Sequence, residues 1–321
     1  MEFSVVIPVY NEARSIQELV NRLEVFFASL DHKPEYEILF VDDGSTDPTR
    51  EIISSLCQVK NNIHCVFLRR NFGKSFALTA GFQYAKGNYI ITMDGDLQDR
   101  PEEIHKLIAR AAEGYDLVSG WKHRRKDDVL RVLGSRVFNY IVSCFFGLYL
   151  RDLNCGFKIY RRAVVKNILV YGQYHRFIPV LAYCLGFKVS EVPIEHDSRK
   201  YGTSRYPAYR YQGFFDLLSL FFIYRYRFSP LYFFGVVGMV LIVPSAMVLF
   251  FSCVKLLLWV MGVIPRPIDI TFNRPVFALS TTALIGGLYI LLTGFVCDFI
   301  LHHQGRRTVV ENLESMVERD I

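Results

Sequence analysis

Asp94-Gly95-Asp96 places two carboxylates one residue apart at the end of the apolar run Asn88 to Met93. Such a pair beside a diphosphate is a usual way to hold Mg²⁺ or Mn²⁺, since these hard ions take one or two carboxylates and complete their shell with substrate phosphates. Taken alone, the motif also reads as a polar turn leading into the helix that Asp99 to Pro101 opens. Other polar groups stand at the same place in the pattern. Tyr10, Asn11 and Glu12 follow the apolar run Phe3 to Val9, Asp42-Asp43-Gly44 follows Glu37 to Val41, and Lys74 closes the turn after His64 to Leu68.

Short apolar runs alternating with helical segments at this spacing predict a parallel sheet with right-handed crossovers, an α/β fold whose strand carboxyl ends carry the ligand loops. Ser15 and Glu18 are spaced as a capping box for the first helix, and Asp47 and Pro48 as the N-cap and first residue of the second. Gly95 is expected to let the backbone turn sharply between the two carboxylates. The first turn lacks Gly-x-Gly-x-x-Gly, which sets aside a nicotinamide or flavin dehydrogenase. No Gly-x-x-x-x-Gly-Lys-Ser/Thr occurs, which sets aside a P-loop kinase or ATPase. Beyond a fifth strand at Leu117 to Ser119, a basic stretch from Lys122 to Arg136 includes Arg124, Arg125, Arg131 and Ser135 and continues into a helical pattern to Tyr149. A strand at Lys188 to Ile194 and a glycine-containing basic loop at Arg199 to Tyr206 follow.

Of 321 residues, 51% are hydrophobic, and they are unevenly spread. Residues 1–208 read as a water-facing α/β domain and 209–230 as an amphipathic interfacial helix region rich in Tyr, Phe and Arg. Residues 231–261 and 276–301 are apolar runs, each able to span roughly 30 Å of hydrocarbon. Pro244 is tolerated in such a helix, and Gly286, Gly287 and Gly294 permit close approach of the two. Residues 302–321 form a polar tail. Arginines before the hairpin and His302, His303, Arg306 and Arg307 after it place both termini in the cytoplasm by the positive-inside rule. The N-terminus has no basic segment ahead of its first strand, so the head is expected to remain cytoplasmic. Seven cysteines without a Cys-x-x-Cys pair argue against a disulfide framework or a structural zinc site. The net charge of +6 is concentrated near the membrane segments, which suits anionic lipid or phosphate, and no nucleic-acid motif is present.

The combination Val5 to Glu12, Val41 to Asp47, Arg70 to Lys74 and Met93 to Asp99 resembles the family-2 glycosyltransferases of GT-A fold. Within them it resembles the dolichol-phosphate mannose synthase branch, and most of all bacterial polyprenyl-phosphate glucosyltransferases with two C-terminal membrane helices. The resemblance covers residues 3–206 and implies a Rossmann-like, mostly parallel sheet with helices on both faces, followed by interfacial helices and a transmembrane hairpin. It places Pro8, Tyr10 and Glu12 at the base and ribose, Asp42 or Asp43 on the nucleoside with Lys74 nearby, and Asp94 and Asp96 at the metal and diphosphate. Gln98 falls near the donor sugar, and Asp152, in Asp-x-x-x-Gly-Phe-Lys, close to the site. Lys122, Arg131 and Ser135 match positions that hold the lipid phosphate, and Arg199 and Arg205 belong to a loop over the pyrophosphate. A homo-oligomer up to a tetramer, acting at the inner membrane in cell-envelope glycosylation, is also implied.

The chemistry follows from charge. A polyprenyl monophosphate has a second pKa near 6, so at cytoplasmic pH its oxygen is a dianionic nucleophile that needs no general base. The departing nucleoside diphosphate needs its growing charge offset, by Mg²⁺ or Mn²⁺ on Asp94 and Asp96 and by Lys or Arg. Lys122, Arg124, Arg125, Arg131 and Arg136 are candidates to offset the repulsion between acceptor and donor. Direct displacement at the anomeric carbon inverts configuration, giving a β-linked lipid from an α-linked donor. The best-matching pair is UDP-glucose and undecaprenyl phosphate, with GDP-mannose or a UDP-amino sugar as alternatives. A non-catalytic nucleotide-sugar-binding scaffold is the rival of a different kind. A processive polysaccharide synthase is disfavoured by two spans and by the lack of Gln-x-x-Arg-Trp.

Overall fold

The computed structural model describes residues 1–122, 129–168, 170, 172–197, 212–226, 229–265 and 274–317; of 129–137, 212–214, 274 and 302–317 it describes the helical backbone. The chain divides into two units, Met1–Leu218 and Ser219–Ile321.

In the first unit β1, Phe3–Val9, is the strand the others assemble on. Its run of Val5, Val6 and Ile7 is fully buried on both faces, as an interior strand of a parallel sheet requires. β2 (Tyr36–Asp42) and β4 (Tyr89–Thr92) pair with it in parallel, and β3 (Ile63–Phe67) lies beyond β2. β5 is Leu117–Lys122, β6 Lys158–Arg161 and β7 Val189–Ile194. The seven strands run in the order β3-β2-β1-β4-β6-β5-β7. The parallel reading therefore holds for most of the sheet and fails at β6, which is antiparallel to both β4 and β5. The four residues Lys158–Arg161 carry no periodic signal of their own, and only pairing between two existing strands makes them a strand.

The first unit's helices are α1 (Ile16–Ser29), α2 (Thr49–Val59), α3 (Lys74–Tyr84), α4 (Ile104–Ala112), α5 (Val129–Phe146), α6 (Arg162–Asn167) and α7 (Ile178–Cys184). They cover both faces of the sheet. On β6, Ile159 joins the core shared by Leu19 and Leu23 of α1 and Leu107 of α4, whereas the adjacent Tyr160 packs its ring against Phe82 of α3 at 5.5 Å.

Two local expectations change. Ser15 stands at the N-cap of α1 but makes no capping bond; its hydroxyl lies 2.9 Å from the Glu12 carbonyl and donates over the shorter 2.6 Å to the Gly95 carbonyl, tying α1 to the acidic turn instead. α2 begins at Thr49 after Pro48, and Asp47 acts from one position earlier, accepting the Thr49 N–H at 3.1 Å.

α8 (Gln212–Arg225) crosses the division between the units, and α9 (Pro230–Val260) and α10 (Arg274–Val317) make up most of the second. Pro230–Val260 and Pro275–Leu301 have mean hydropathies of 2.4 and 2.1 and are long enough to cross a membrane. Their side chains are mostly exposed, unlike those of a soluble protein's core helix. α10 runs on through the polar tail to Val317. A Cβ on Gly238 would lie 2.9 Å from the Gly287 carbonyl, and one on Gly294 would lie 2.8 Å from Phe234 Cβ, so these small residues set the spacing of the pair. Gly286 faces open space and has no such role.

Candidate active site

The carboxyl ends of β1, β2 and β4 and the start of α3 enclose a cavity of about 340 Å³. Pro8, Tyr10 and Glu12 line it from β1, Asp43 from β2, Gly73 and Lys74 from α3, and Asp94, Gly95 and Asp96 from the turn after β4. These loops are stitched together by the short polar residues the sequence places in them. The Asn11 side chain accepts the Thr46 N–H at 2.7 Å, its own N–H donates to Ser45 Oγ at 2.8 Å, and the Glu12 N–H donates to Thr49 Oγ1 at 2.9 Å. Asn11 adopts a φ of 55°, a left-handed conformation that asparagine tolerates better than most residues.

The two adjacent aspartates of β2 divide. Asp42 is fully buried and engaged by Arg50 Nη2 at 3.1 Å and by the Ser45 N–H at 3.1 Å, and it does not line the cavity. Asp43 does, and its carboxylate accepts the Phe72 N–H at 2.7 Å and the Gly73 N–H at 2.9 Å. Burial pushes its pKa up against those two hydrogen bonds.

At the acidic turn, Lys74 Nζ pairs with Asp94. Burial works to raise the Asp94 pKa, but Lys74, with Lys122 and Lys158 beyond it, outweighs this and holds the carboxyl below its ordinary value. Asp96 is buried and its Oδ1 accepts the Gln98 N–H at 3.2 Å. Leu97, at φ 62°, makes the left-handed step of the turn. Gly95 has a different reason to be glycine: a Cβ there would sit 2.8 Å from Val9 Cγ1, so close packing on β1 requires it. Gln98 donates from Nε2 to the Asp197 carbonyl at 3.3 Å, outside the cavity lining.

Several residues given no role of their own from the sequence belong to this centre. Asp99 is buried, accepts the Asp94 N–H at 3.2 Å, and is pushed up to about 7 by burial and by the Asp94 charge. Lys158, from β6, is buried with its Nζ on the Cys155 carbonyl, and burial lowers its pKa. Gly156 brings backbone against Asp94 where a Cβ would be 3.0 Å from either carboxylate oxygen. Gln173 and His175 line the cavity from a segment a hundred residues beyond α3. Only proximity in the fold marks them.

Asp152 is buried, with Oδ1 accepting the Asn154 N–H at 3.2 Å, and does not line the cavity, although its charge acts on Lys158. The Lys122 charge reaches Asp94 and Asp99. Arg124, Arg125, Arg199 and Arg205 lie outside the described residues, and of Arg131, Ser135 and Arg136 only the place on the α5 backbone is described.

The donor set fits a hard divalent cation in part. Among the described residues no three His, Cys, Asp or Glu side chains converge as a complete metal site. The two carboxylates at the cavity wall are the share a protein supplies when diphosphate oxygens complete the shell.

Residues 4–169 match the sequence profile of Glycosyl transferase family 2. The dodecaprenyl-phosphate galacturonate synthase of Rhizobium johnstonii is 33% identical over 308 residues, covering 94% of this chain and 88% of that protein. Among solved structures, glucosyl-3-phosphoglycerate synthase from Mycobacterium tuberculosis is similar in its complex with Mn²⁺, UDP-glucose and phosphoglyceric acid. Its TM-score is 0.50 at 18% identity, over 63% of this chain and 72% of that one. The same enzyme with Mn²⁺, UDP and glucosyl-3-phosphoglycerate gives a TM-score of 0.50 at 19% identity, over 63% and 73%. The arrangement of sheet and helices is thus the GT-A fold.

Proposed function

Because this chain belongs to glycosyl transferase family 2, we propose that it transfers a hexosyl unit from a nucleoside diphosphate sugar to a polyprenyl phosphate, with inversion. The observation that carries the reading is the convergence of Asp43, Lys74, Asp94 and Asp96 on one cavity, joined to a relative named for making a polyprenyl-phosphate sugar. Asp43 serves the nucleoside and Lys74 the diphosphate. Asp94 and Asp96 would hold Mg²⁺ or Mn²⁺, whose charge offsets that of the departing nucleoside diphosphate. Lys74 keeps Asp94 ionised, and Asp99 fixes the backbone of the turn by accepting the Asp94 N–H. No carboxylate is needed as a base, since the acceptor phosphate arrives largely as a dianion.

The donor of first choice is UDP-glucose and the acceptor undecaprenyl phosphate. UDP-galacturonate is the second reading, favoured by the relative's name. Lys122 and the basic residues Arg124, Arg125, Arg131 and Arg136, with Ser135, are assigned to the acceptor phosphate, and Arg199 and Arg205 to the pyrophosphate. α9 and α10 are assigned as a membrane hairpin with both termini cytoplasmic, in keeping with the arginines that flank it.

The test incubates the full chain in detergent micelles with undecaprenyl phosphate and labelled UDP-glucose, UDP-galacturonate, GDP-mannose or a UDP-amino sugar. A single-sugar lipid from one donor, lost in Asp96→Ala, is the expected result. Binding without product across the panel would favour a scaffold, and unchanged turnover of Asp96→Ala in saturating Mg²⁺ would remove the metal assignment.

A further inference from the structure

Gln173 and His175 face the same cavity as Lys74 and Asp94, yet the chemistry above uses neither. Their hydrogen bonds set which atoms they present. Ser75 Oγ accepts the His175 backbone N–H at 3.2 Å and lies 2.9 Å from His175 Nδ1. These two contacts hold the Nδ1 edge of the ring against Ser75 and leave Nε2 as the ring nitrogen available to a ligand. Burial, followed by the charges of Lys74, Arg176 and Lys158, outweighs Asp94 and brings the imidazole down to about 2, which favours the uncharged ring. Gln173 Oε1 accepts from Arg176 Nη2 at 3.3 Å, which makes the amide NH₂ its donating end.

Resting on the nucleotide-sugar reading, we propose that Gln173 and His175 form the sugar subsite of this cavity, a side-chain amide and the imidazole Nε2 that hydrogen-bond hydroxyls of the transferred sugar. The division of labour follows from charge. Lys74 and the Asp94–Asp96 turn already answer the diphosphate, and an imidazolium at 175 would add attraction for phosphate that is blind to the sugar. Hydrogen-bonding groups held in fixed orientation discriminate instead, because a sugar hydroxyl of the wrong configuration misses them, and the half-buried His175 is less readily satisfied by water than the exposed Gln173. Ser75 is a positioning residue, acting through the two contacts that orient His175.

The experiment measures binding of UDP, UDP-glucose and UDP-galactose to the full chain in detergent micelles with Mn²⁺, by calorimetry, for wild type, His175→Gln, His175→Phe and Gln173→Ala. UDP affinity is expected to stay within about twofold. UDP-glucose should weaken roughly three- to tenfold, the equivalent of one neutral hydrogen bond, and the preference between the two epimers should shrink. Ser75→Ala, which releases the ring, should weaken UDP-glucose in the same direction as His175→Gln while UDP stays within about twofold. Parallel loss of UDP and UDP-glucose, or no loss of either, overturns the subsite. A wild-type chain that binds neither UDP nor GDP, with or without sugar, overturns the nucleotide-sugar reading as well.

Discussion

Gly156→Ala tests the acidic turn without touching a group assigned to substrate. Gly156 has no positive φ, so alanine can adopt its backbone. The added Cβ would lie 3.0 Å from both Asp94 oxygens and 3.1 Å from Asp94 Cγ, which is tighter than ordinary contact and obliges the carboxylate to move by a few tenths of an ångström. Lys74 holds that carboxylate by an ion pair, so the shift is transmitted to the geometry of metal and diphosphate binding. Overpacking of this kind costs about 1–2 kcal/mol in stability, too little to unfold the head. Displaced metal ligands and their supports, by contrast, typically lose about 10–100-fold in activity. With labelled UDP-glucose and undecaprenyl phosphate, turnover is expected to fall by that factor at limiting Mn²⁺ and less at saturating Mn²⁺. In an Asp94→Asn background the same alanine should add little, because the two act through one group. Wild-type turnover of Gly156→Ala at limiting metal, with the protein folded, would refute the claim that the position of the Asp94 carboxylate governs the reaction.

Lys74→Met removes the cation beside Asp94 and should lower kcat/KM for the donor by about a hundredfold, with Lys74→Arg recovering part of it; steady-state kinetics decides. Asp43→Ala leaves the Phe72 and Gly73 N–H groups without their acceptor and should cost about 1–3 kcal/mol in denaturant unfolding, whereas Asp43→Asn, which keeps one acceptor oxygen, should cost less. Activity should rise through a midpoint near pH 6 and flatten above about pH 7, as the acceptor phosphate loses its second proton. His175, held near 2, adds no limb in that range, and an additional ionisation near 6.5 abolished by His175→Gln would count against its neutral state. In the hairpin, Gly287→Leu drives a side chain into Ile242 and the Gly238 carbonyl and should lower thermal stability in detergent, while Gly286→Leu, facing open space, should not.

Composition and local pattern were enough to separate the α/β head from the two long apolar helices, to locate the parallel strands β1 to β4 along the chain, and to mark Asp94 and Asp96, because a run of apolar residues ending in acids is a short-range signal. Lys74 and Asp43 were legible on the same ground, each lying within a few residues of a strand end. Choosing Asp43 over Asp42 was not, since adjacent residues on a strand face opposite ways and only the packing of Arg50 against Asp42 shows which one turns from the cavity. Ser15 had the spacing of a cap, yet its hydroxyl is spent on Gly95, eighty residues away. β6 and Lys158 needed two strands already in place to pair against. Gln173 and His175 needed the chain to return to α3 a hundred residues later, where Ser75 orients the ring. The sequence by itself thus determined most of the strands and helices, the two long apolar helices and which acids end a strand, because those properties depend on neighbours a few residues apart. Which of these groups meet, which orientation and charge they hold, and which glycine is needed for closeness was decided only by the tertiary structure, because contact, desolvation and the field of surrounding cations depend on residues that the chain order keeps far apart.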